Sequence, residues 1–207
     1  MDSIYYIESM HLAAIVGGIA FALSGYFVGT RKKLDIMGIF ILAFLAANGG
    51  GVLRDVLVDR TPAILRLTEP FWLTALTLGI ASLLKLQKLE RVERHWLFIV
   101  CDAVGLVAFG ITGALVGIEE NVHFFGVLAL SFLTATGGGI IRDLLVNEVP
   151  EVLHGGFYGS VAILLAAAIY ALHTLAWLNP LSLLAAFGIA LAVRLVAYKQ
   201  NWQLPKI

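Results

Sequence analysis

The sequence predicts an all-α integral membrane protein with seven transmembrane helices, arranged as two inverted three-helix repeats plus a seventh helix. Three observations predict this fold: an apolar composition, seven apolar runs of spanning length, and an internal repeat. Of 207 residues, 60% are hydrophobic and 14% are charged, and the mean hydropathy is +0.92. A soluble domain is nearer half apolar and a quarter charged. A water-soluble fold could not bury this much apolar surface.

Seven apolar runs come close to the roughly 20 residues that a helix needs to cross a bilayer. Lipid offers the backbone no hydrogen bonds, so uninterrupted runs of this length predict helices rather than strands. The N-terminus lacks the basic region and cleavage site of a signal peptide, and the first run is therefore expected to be retained as a span. The runs cover residues 10–29, 36–58, 70–86, 96–117, 124–146, 156–178 and 181–198.

The chain repeats itself with an offset of 88 residues, and 21 of the 50 positions from 16 to 65 are identical to their counterparts. This predicts a first three-helix repeat in residues 1–86, a second in 96–178 and a seventh helix in 181–198. Three spans are an odd number, so the second copy is expected to lie inverted in the membrane. The repeated core is the pair of segments Gly49-Gly50-Gly51-Val52-Leu53-Arg54-Asp55 and Gly137-Gly138-Gly139-Ile140-Ile141-Arg142-Asp143.

Basic residues are distributed unevenly between the two predicted sides of the membrane, with eleven on one side and three on the other. The positive-inside rule makes the richer side cytoplasmic, with the N-terminus outside and the C-terminus inside. The aligned loops also reverse charge, since 31–33 is basic and 119–121 carries two glutamates. The eleven are Arg31, Lys32, Lys33, Lys85, Lys88, Arg91, Arg94, Arg142, Arg194, Lys199 and Lys206, and the three are Arg54, Arg60 and Arg66.

The two glycine triplets lie deep in the second and fifth predicted spans. Each glycine in a helix interior costs about 1 kcal/mol relative to alanine, so a triplet predicts a kink or a break. Backbone groups that a break frees are tolerated at membrane depth only against protein or a water-filled cavity. The triplets therefore predict a polar pathway, and the alternative is that they let helices pack closely. The residues are Gly49, Gly50, Gly51, Gly137, Gly138 and Gly139.

Charged pairs follow both triplets directly, and ionisable residues within spans are rare and costly. Arg54-Asp55 and Arg142-Asp143 are adjacent in sequence, so the two members of each pair are not expected to face each other on a helix. Each is expected to find a partner elsewhere or to lie beside a pathway. Asp102 lies at a depth similar to that of Arg142, and is either its counter-ion or part of a cation path. The equivalent of Asp102 in the first repeat is Ala14.

Smaller polar residues also mark the second and fifth spans. Threonine can bond to its own helix as readily as it can line a pore, so these side chains leave both readings open. They are Asn48, Ser131, Thr134 and Thr136.

Several functional classes are excluded by what the sequence lacks. It contains no Walker-type phosphate loop, no HExxH motif and no Ser/His/Asp arrangement, so an ATP-driven pump or an enzyme is not expected. One cysteine and five scattered histidines give no zinc-type spacing, and no tightly bound metal or cofactor is expected. Lys plus Arg equals Asp plus Glu at 14 each, which leaves no basic excess for nucleic acid. Without a TVGYG filter, cation selectivity should be modest.

Two GGGxxRD segments in a short chain of three, three and one spans resemble the prokaryotic branch of the trimeric intracellular cation (TRIC) channels. The resemblance covers essentially the whole chain. It implies a homotrimer in the lipid of a prokaryotic plasma membrane, with one pore per protomer bordered by the kinked second and fifth helices. Potassium would be the main permeating ion, with sodium also passing. The same family carries the label of glycine transporter, so a carrier of a small zwitterion is the alternative, and a scaffold without a pathway is a third.

The basic-residue bias gives a direct test of topology. A reporter fused to the N-terminus should read as external and one fused to the C-terminus as cytoplasmic. Alkaline phosphatase and green fluorescent protein fusions at each end measure this. Both termini on one side would refute seven spans.

Overall fold

The computed structural model describes residues 2–154 and 157–203, and regular secondary structure there is helical throughout, with nine α-helices and one 3-10 turn. Seven α-helices have 15 residues or more and correspond to the seven predicted runs. They are α1 (Asp2–Arg31), α2 (Ile36–Leu57), α4 (Glu69–Leu83), α5 (Arg91–Glu119), α6 (Phe124–Leu145), α8 (Gly159–Thr174) and α9 (Pro180–Lys199). The sequence did not indicate the short helices α3 (Ala63–Arg66) and α7 (Glu151–His154) or the turn at Leu86–Lys88.

Five helices, α1, α2, α5, α6 and α9, are long and apolar enough to cross a membrane. Large apolar side chains such as Ile36, Leu83 and Leu181 are mostly exposed, which suits a surface in contact with lipid rather than water. The chain is therefore an all-helical membrane protein. Helix α8 is a shorter apolar helix and α4 has 15 residues, so the count of seven spans stays a prediction. Residue 156 of the sixth predicted span and Lys206 lie outside the described residues.

The local structure repeats with the same 88-residue offset as the sequence. Helices α2 and α6 begin in the same way, because the side chains of Asp35 and His123 accept hydrogen bonds from Gly38 N and Gly126 N, at 2.6 and 3.3 Å. Such caps satisfy backbone donors that a helix start leaves free. The turns before and after these two helices also match, with left-handed φ angles at Lys33 and Asn121 and at Asp59 and Asn147.

Helix packing is reciprocal between the two units. Gly25 of α1 lies against the backbone of Ala43 in α2, and its counterpart Gly113 of α5 lies against Ser131 in α6. Between the units, the Phe109 ring packs against Gly17 and the Phe21 ring packs against Gly105. The centres of the two rings are 5.5 Å apart. These equivalences give the two units a shared frame in which α1, α2, α5 and α6 form the centre.

Helices α2 and α6 cross at their glycines, and both helices continue without interruption through the triplets. The predicted break is therefore wrong, and a bend at these residues stays a prediction. A Cβ at Gly50 would overlap the carbonyl oxygen of Thr134, and a Cβ at Gly138 would overlap that of Ala46. Glycine is needed at these positions because the backbone of the partner helix occupies the space that a side chain would fill. Gly50 and Gly138 therefore follow the alternative in which the triplets let helices pack closely.

The crossing gives a matched pair of substitutions. Gly50→Ala should destabilise the protein strongly, beyond the roughly 1–3 kcal/mol typical of overpacking, because its Cβ meets a backbone oxygen that cannot turn away. Gly51→Ala should be neutral or stabilise by up to about 1 kcal/mol, since the nearest atom to its Cβ position is Arg54 Nη2 at 3.9 Å. Thermal unfolding in detergent measures both. Equal melting temperatures for the two variants would contradict the close crossing.

Candidate functional site

The Arg-Asp pairs lie on opposite sides of the α2–α6 crossing. Ile141 lies nearest the Cβ position of Gly49, and Leu53 lies nearest that of Gly137. Positions advance along α2 while they recede along α6, so the two helices run antiparallel through the crossing. Their last turns, which carry the two Arg-Asp pairs, therefore point away from each other. Each pair borders its own cavity.

The first cavity has a volume of about 130 Å³ and is lined by α1 to α4 with Phe109 of α5. Within it, Arg54 Nε and Nη2 both donate to Asp55 Oδ1, at 2.9 and 2.7 Å. Asp55 Oδ2 accepts from the Ala63 backbone at 3.2 Å. The expectation that adjacent Arg and Asp do not pair is wrong here, because the long arginine side chain folds back along the helix end. Asn48 lines the same cavity.

The second cavity has a volume of about 270 Å³ and borders Arg142 and Asp143. Arg142 is 1% exposed and donates to Asp102 Oδ1 at 2.6 Å and Ser24 Oγ at 2.8 Å. Its Nε also donates to Asp143 Oδ1 at 2.8 Å, so the second adjacent pair is closed as well. Of the two alternatives for Asp102, the structure shows the counter-ion of Arg142. Their burial and short contacts mark a structural ion pair, in which each charge compensates the other.

Two residues beside the second cavity were not predicted as site residues. Glu151 of α7 accepts a hydrogen bond from Arg194 of α9 at 3.0 Å, and the Arg194 guanidinium lies 4.5 Å from the centre of the Tyr158 ring. Arg194 is 3% exposed, so neither it nor Arg142 belongs among the loop charges, although the basic bias persists without them. A charge inside the seventh apolar run was a signal for Arg194. Nothing in the sequence indicated that α7 returns Glu151 to this site.

Ion pairs join the loops of the two units. Arg31 and Lys32 bind Glu148 at 2.7 and 2.9 Å, and the equivalent positions carry Glu119, Glu120 and Arg60, which also pair with one another. The repeat thus keeps the contact and exchanges the signs of its charges. Burial alone would raise the pKa of the Glu148 carboxyl, but the bonds and charges of Lys32 and Arg31 outweigh burial and lower it. Arg31 and Glu148 border the second cavity.

The smaller polar residues of α6 are satisfied within the protein. Thr134 and Thr136 donate to carbonyls of their own helix at 2.6 and 2.8 Å, and Ser131 donates to the Gly110 carbonyl at 2.8 Å. All three are buried and none borders either cavity described above. Asn48 also bonds to its own helix, donating to Phe44 O at 2.8 Å. The helix-bonding alternative therefore describes the two threonines.

The glycine triplets extend from the crossing toward both cavities. Gly49, Gly50, Gly137 and Gly138 lie against the partner helix. Gly51 lines the first cavity, and the Cβ position of Gly139 lies 3.4 Å from the Tyr158 hydroxyl. No group of three His, Cys, Asp or Glu side chains able to hold a metal occurs in the described part of the chain.

Fold and site together define a polytopic helical membrane protein with two charged cavities on either side of an antiparallel glycine crossing. A family model described as "Glycine transporter" matches residues 11–88 and 99–174, and the chain belongs to this family. A UPF0126 membrane protein of Bacillus subtilis is 35% identical over 94% of both chains. The UPF0126 inner membrane protein YadS of Escherichia coli is 29% identical over 92% of both.

Solved structures of prokaryotic TRIC channels have the same fold. A prokaryotic TRIC channel crystallised in 0.5 M KCl is 31% identical, with a TM-score of 0.86 over 94% of this chain and 98% of that one. The TRIC orthologue from Rhodobacter sphaeroides is 31% identical, with a TM-score of 0.82 over 93% and 98%. These matches confirm the resemblance, and the chain is a member of the prokaryotic TRIC channel family.

The buried pair at the second cavity gives a double-mutant test. Asp102→Asn should lower stability, and Arg142→Gln should lower it more, by about 3–5 kcal/mol, because it leaves both Asp102 and Asp143 without their cation. The double variant should recover part of the summed loss, since contacting partners couple. Melting temperatures in detergent complete the cycle. Strictly additive losses would mean that Asp102 acts independently of Arg142.

Proposed function

We propose that this protein is a passive, non-enzymatic channel for monovalent cations, with potassium as the main ion and sodium as a second. Each protomer of a homotrimer would hold one path, bordered by α2 and α6 and leading from the first cavity past the glycine crossing to the second. No bound cofactor is required. The observation that carries this proposal is the placement of two charged cavities on opposite sides of one antiparallel glycine crossing. The similarity to solved TRIC cation channel structures supports it.

The crossing is the constriction of the proposed path. Its surface is main chain at Gly50 and Gly138, beside the carbonyl groups of Ala46 and Thr134. A carbonyl oxygen has a second lone pair after its helical bond is made. A small separation of α2 from α6 would therefore present cations with oxygen atoms rather than apolar side chains. Such a passage favours cations that keep part of their hydration shell, and it gives modest selectivity among monovalent cations.

The proposed arrangement in the membrane follows from the repeat. We infer that the two three-helix units lie inverted relative to each other, with α9 as the seventh span. The antiparallel crossing and the loop ion pairs with exchanged charges support this arrangement. With the N-terminus outside, the first cavity opens to the exterior and the second to the cytoplasm of a prokaryotic plasma membrane, and the exposed apolar faces contact lipid.

Transport of glycine is the second candidate function, because the matching family model carries that description. The first cavity, at about 130 Å³, has room for a small molecule and contains both Arg54 and Asp55. Those two charges could bind the carboxylate and ammonium groups of a zwitterion. Planar-bilayer recording on the purified protein separates the candidates, because discrete conductance steps cannot arise from a carrier. Uptake of labelled glycine into vesicles without such steps would favour transport.

Arg54 provides a prediction specific to the channel. Arg54→Gln should raise cation conductance or change rectification, because it removes a positive charge beside the path and leaves the Asp55 carboxylate uncompensated. Some stability should be lost, because the buried Asp55 carboxylate loses its cation, but less than in Arg142→Gln, which leaves two acids without theirs. Single-channel current in potassium chloride is the measurement.

The matched control is Arg66→Gln. Arg66 is an exposed cation on α3 of the same unit and does not border the first cavity. The conductance of the Arg66→Gln variant should equal that of the wild type. If both variants raise conductance equally, the effect belongs to the general surface charge rather than to a path at Arg54.

A further inference from the structure

Two side-chain atoms in the described part of the chain are buried without a hydrogen-bond partner, and both belong to one cluster beside the second cavity. They are Asp102 Oδ2, an acceptor, and Arg194 Nε, a donor. A buried polar atom without a partner usually costs about 1–3 kcal/mol. The cluster therefore contains one buried acceptor without a donor and one buried donor without an acceptor.

The cluster contains two cations and three acids. Arg142 pairs with Asp102 and Asp143, and Arg194 pairs with Glu151, so the fully ionised cluster has a net charge of −1. An uncompensated charge is unfavourable in a buried site. The first unit has no counterpart of this buried cluster, because Ala14 and Ala63 occupy the positions of Asp102 and Glu151. The further acid at the first cavity, Glu69, has a side chain that is 43% exposed and pairs with His11.

Glu151 is the acid of this cluster that a proton can reach most easily. Its side chain is 26% exposed and borders the second cavity, whereas Asp102 and Asp143 have side-chain exposures of 2% and 9%. It lies in α7, outside the long helices. Burial raises the pKa of the Glu151 carboxyl and the charge of Asp102 raises it further, against the lowering effect of Arg194.

We propose that Glu151 is a proton-binding site whose occupation controls the second cavity. A proton from the cavity water forms an O–H bond on the Glu151 carboxylate, which makes the cluster neutral. Arg194 then loses its charged partner, and Asp102 Oδ2 is the cluster's acceptor that still lacks a donor. The inference rests on the proposed channel function only in its consequence: with a negative charge removed from the cavity wall, cation current falls.

The other charged or titratable groups around Glu151 come from each element packed on it. Those on α5 and α6 are fixed by ion pairs or hydrogen bonds. On α9, the Arg194 guanidinium lies 4.5 Å from the centre of the Tyr158 ring and 5.9 Å from that of the Tyr198 ring. The groups are Asp102 and His95 on α5, Arg142 and Asp143 on α6, Arg194 and Tyr198 on α9, Tyr158 before α8, and Arg31 and Glu148 at the edge of the cavity. Of these, His95 borders the same cavity and hydrogen-bonds to the Tyr198 hydroxyl at 3.0 Å, so it needs its own control.

Infrared difference spectroscopy tests proton binding without any measurement of current. Between neutral and mildly acidic buffer, exposed carboxylates stay ionised, and the wild-type protein should gain the carbonyl stretch of a protonated carboxyl. Glu151→Gln should lose that band, and Glu151→Asp should retain it. Glu148→Gln and His95→Gln should both keep it, the former because the pKa of Glu148 is lowered. A band that persists in Glu151→Gln would overturn the proposal.

Planar-bilayer recording tests the consequence. Acidifying the chamber on the side of the second cavity should reduce wild-type current, and this reduction should require Glu151. Glu151→Gln should have a lower current that no longer responds to pH, while Glu148→Gln and His95→Gln should retain the response. Current that responds to pH unchanged in Glu151→Gln would overturn the control role. Absence of current in every variant together with an intact infrared band would refute the channel and leave the proton site standing.

Discussion

The backbones of α2 and α6 approach so closely at Gly50 and Gly138 that neither position has room for a Cβ. The two helices run antiparallel at this approach, which places the Arg-Asp pairs on opposite sides of the crossing. The close approach also explains why glycine is used despite its cost in a helix interior, about 1 kcal/mol per residue. Helices α1 and α2 approach each other closely in the same way at Gly25, and α5 and α6 do so at Gly113. The two cavities lie on either side of a centre that is filled by main chain.

The repeat builds a nearly symmetric frame, and a few substitutions make its two ends differ. Where the first unit has Ala14 and Ala63, the second has Asp102 and Glu151, and the extra helix α9 adds Arg194 to the second end alone. The first Arg-Asp pair is consequently compensated by itself, while the second belongs to a buried network across five helices, α1, α5, α6, α7 and α9. The second end therefore has a buried cluster of two arginines and three acids, which the first end lacks.

Much of the helical frame could be predicted because apolar runs and the 88-residue offset are local or statistical signals in the chain. The role of the glycines could not, since a triplet that breaks a helix and one that admits a neighbouring helix look identical without the neighbour. Asp102 and Arg142 could be matched by depth along two spans. The pairing of Arg54 with Asp55 could not be predicted from the angle between adjacent helix positions, because that angle ignores how far an arginine side chain can reach. Glu151 was missed because its position depends on the loop fold of α7.

Channel and carrier make different demands on this architecture. A carrier must alternate between states in which each cavity is closed in turn, which requires the crossing or the loop contacts to exchange between two arrangements. The loop ion pairs are equivalent in position and opposite in charge, and at each end one residue binds two residues of the other unit. The asymmetry lies instead in the buried cluster at one end. The proposed path would open by a small separation of α2 from α6 at the glycines, and the charge at one cavity would adjust its current. Such a path does not require the two cavities to close in turn, and this favours a regulated channel over a carrier.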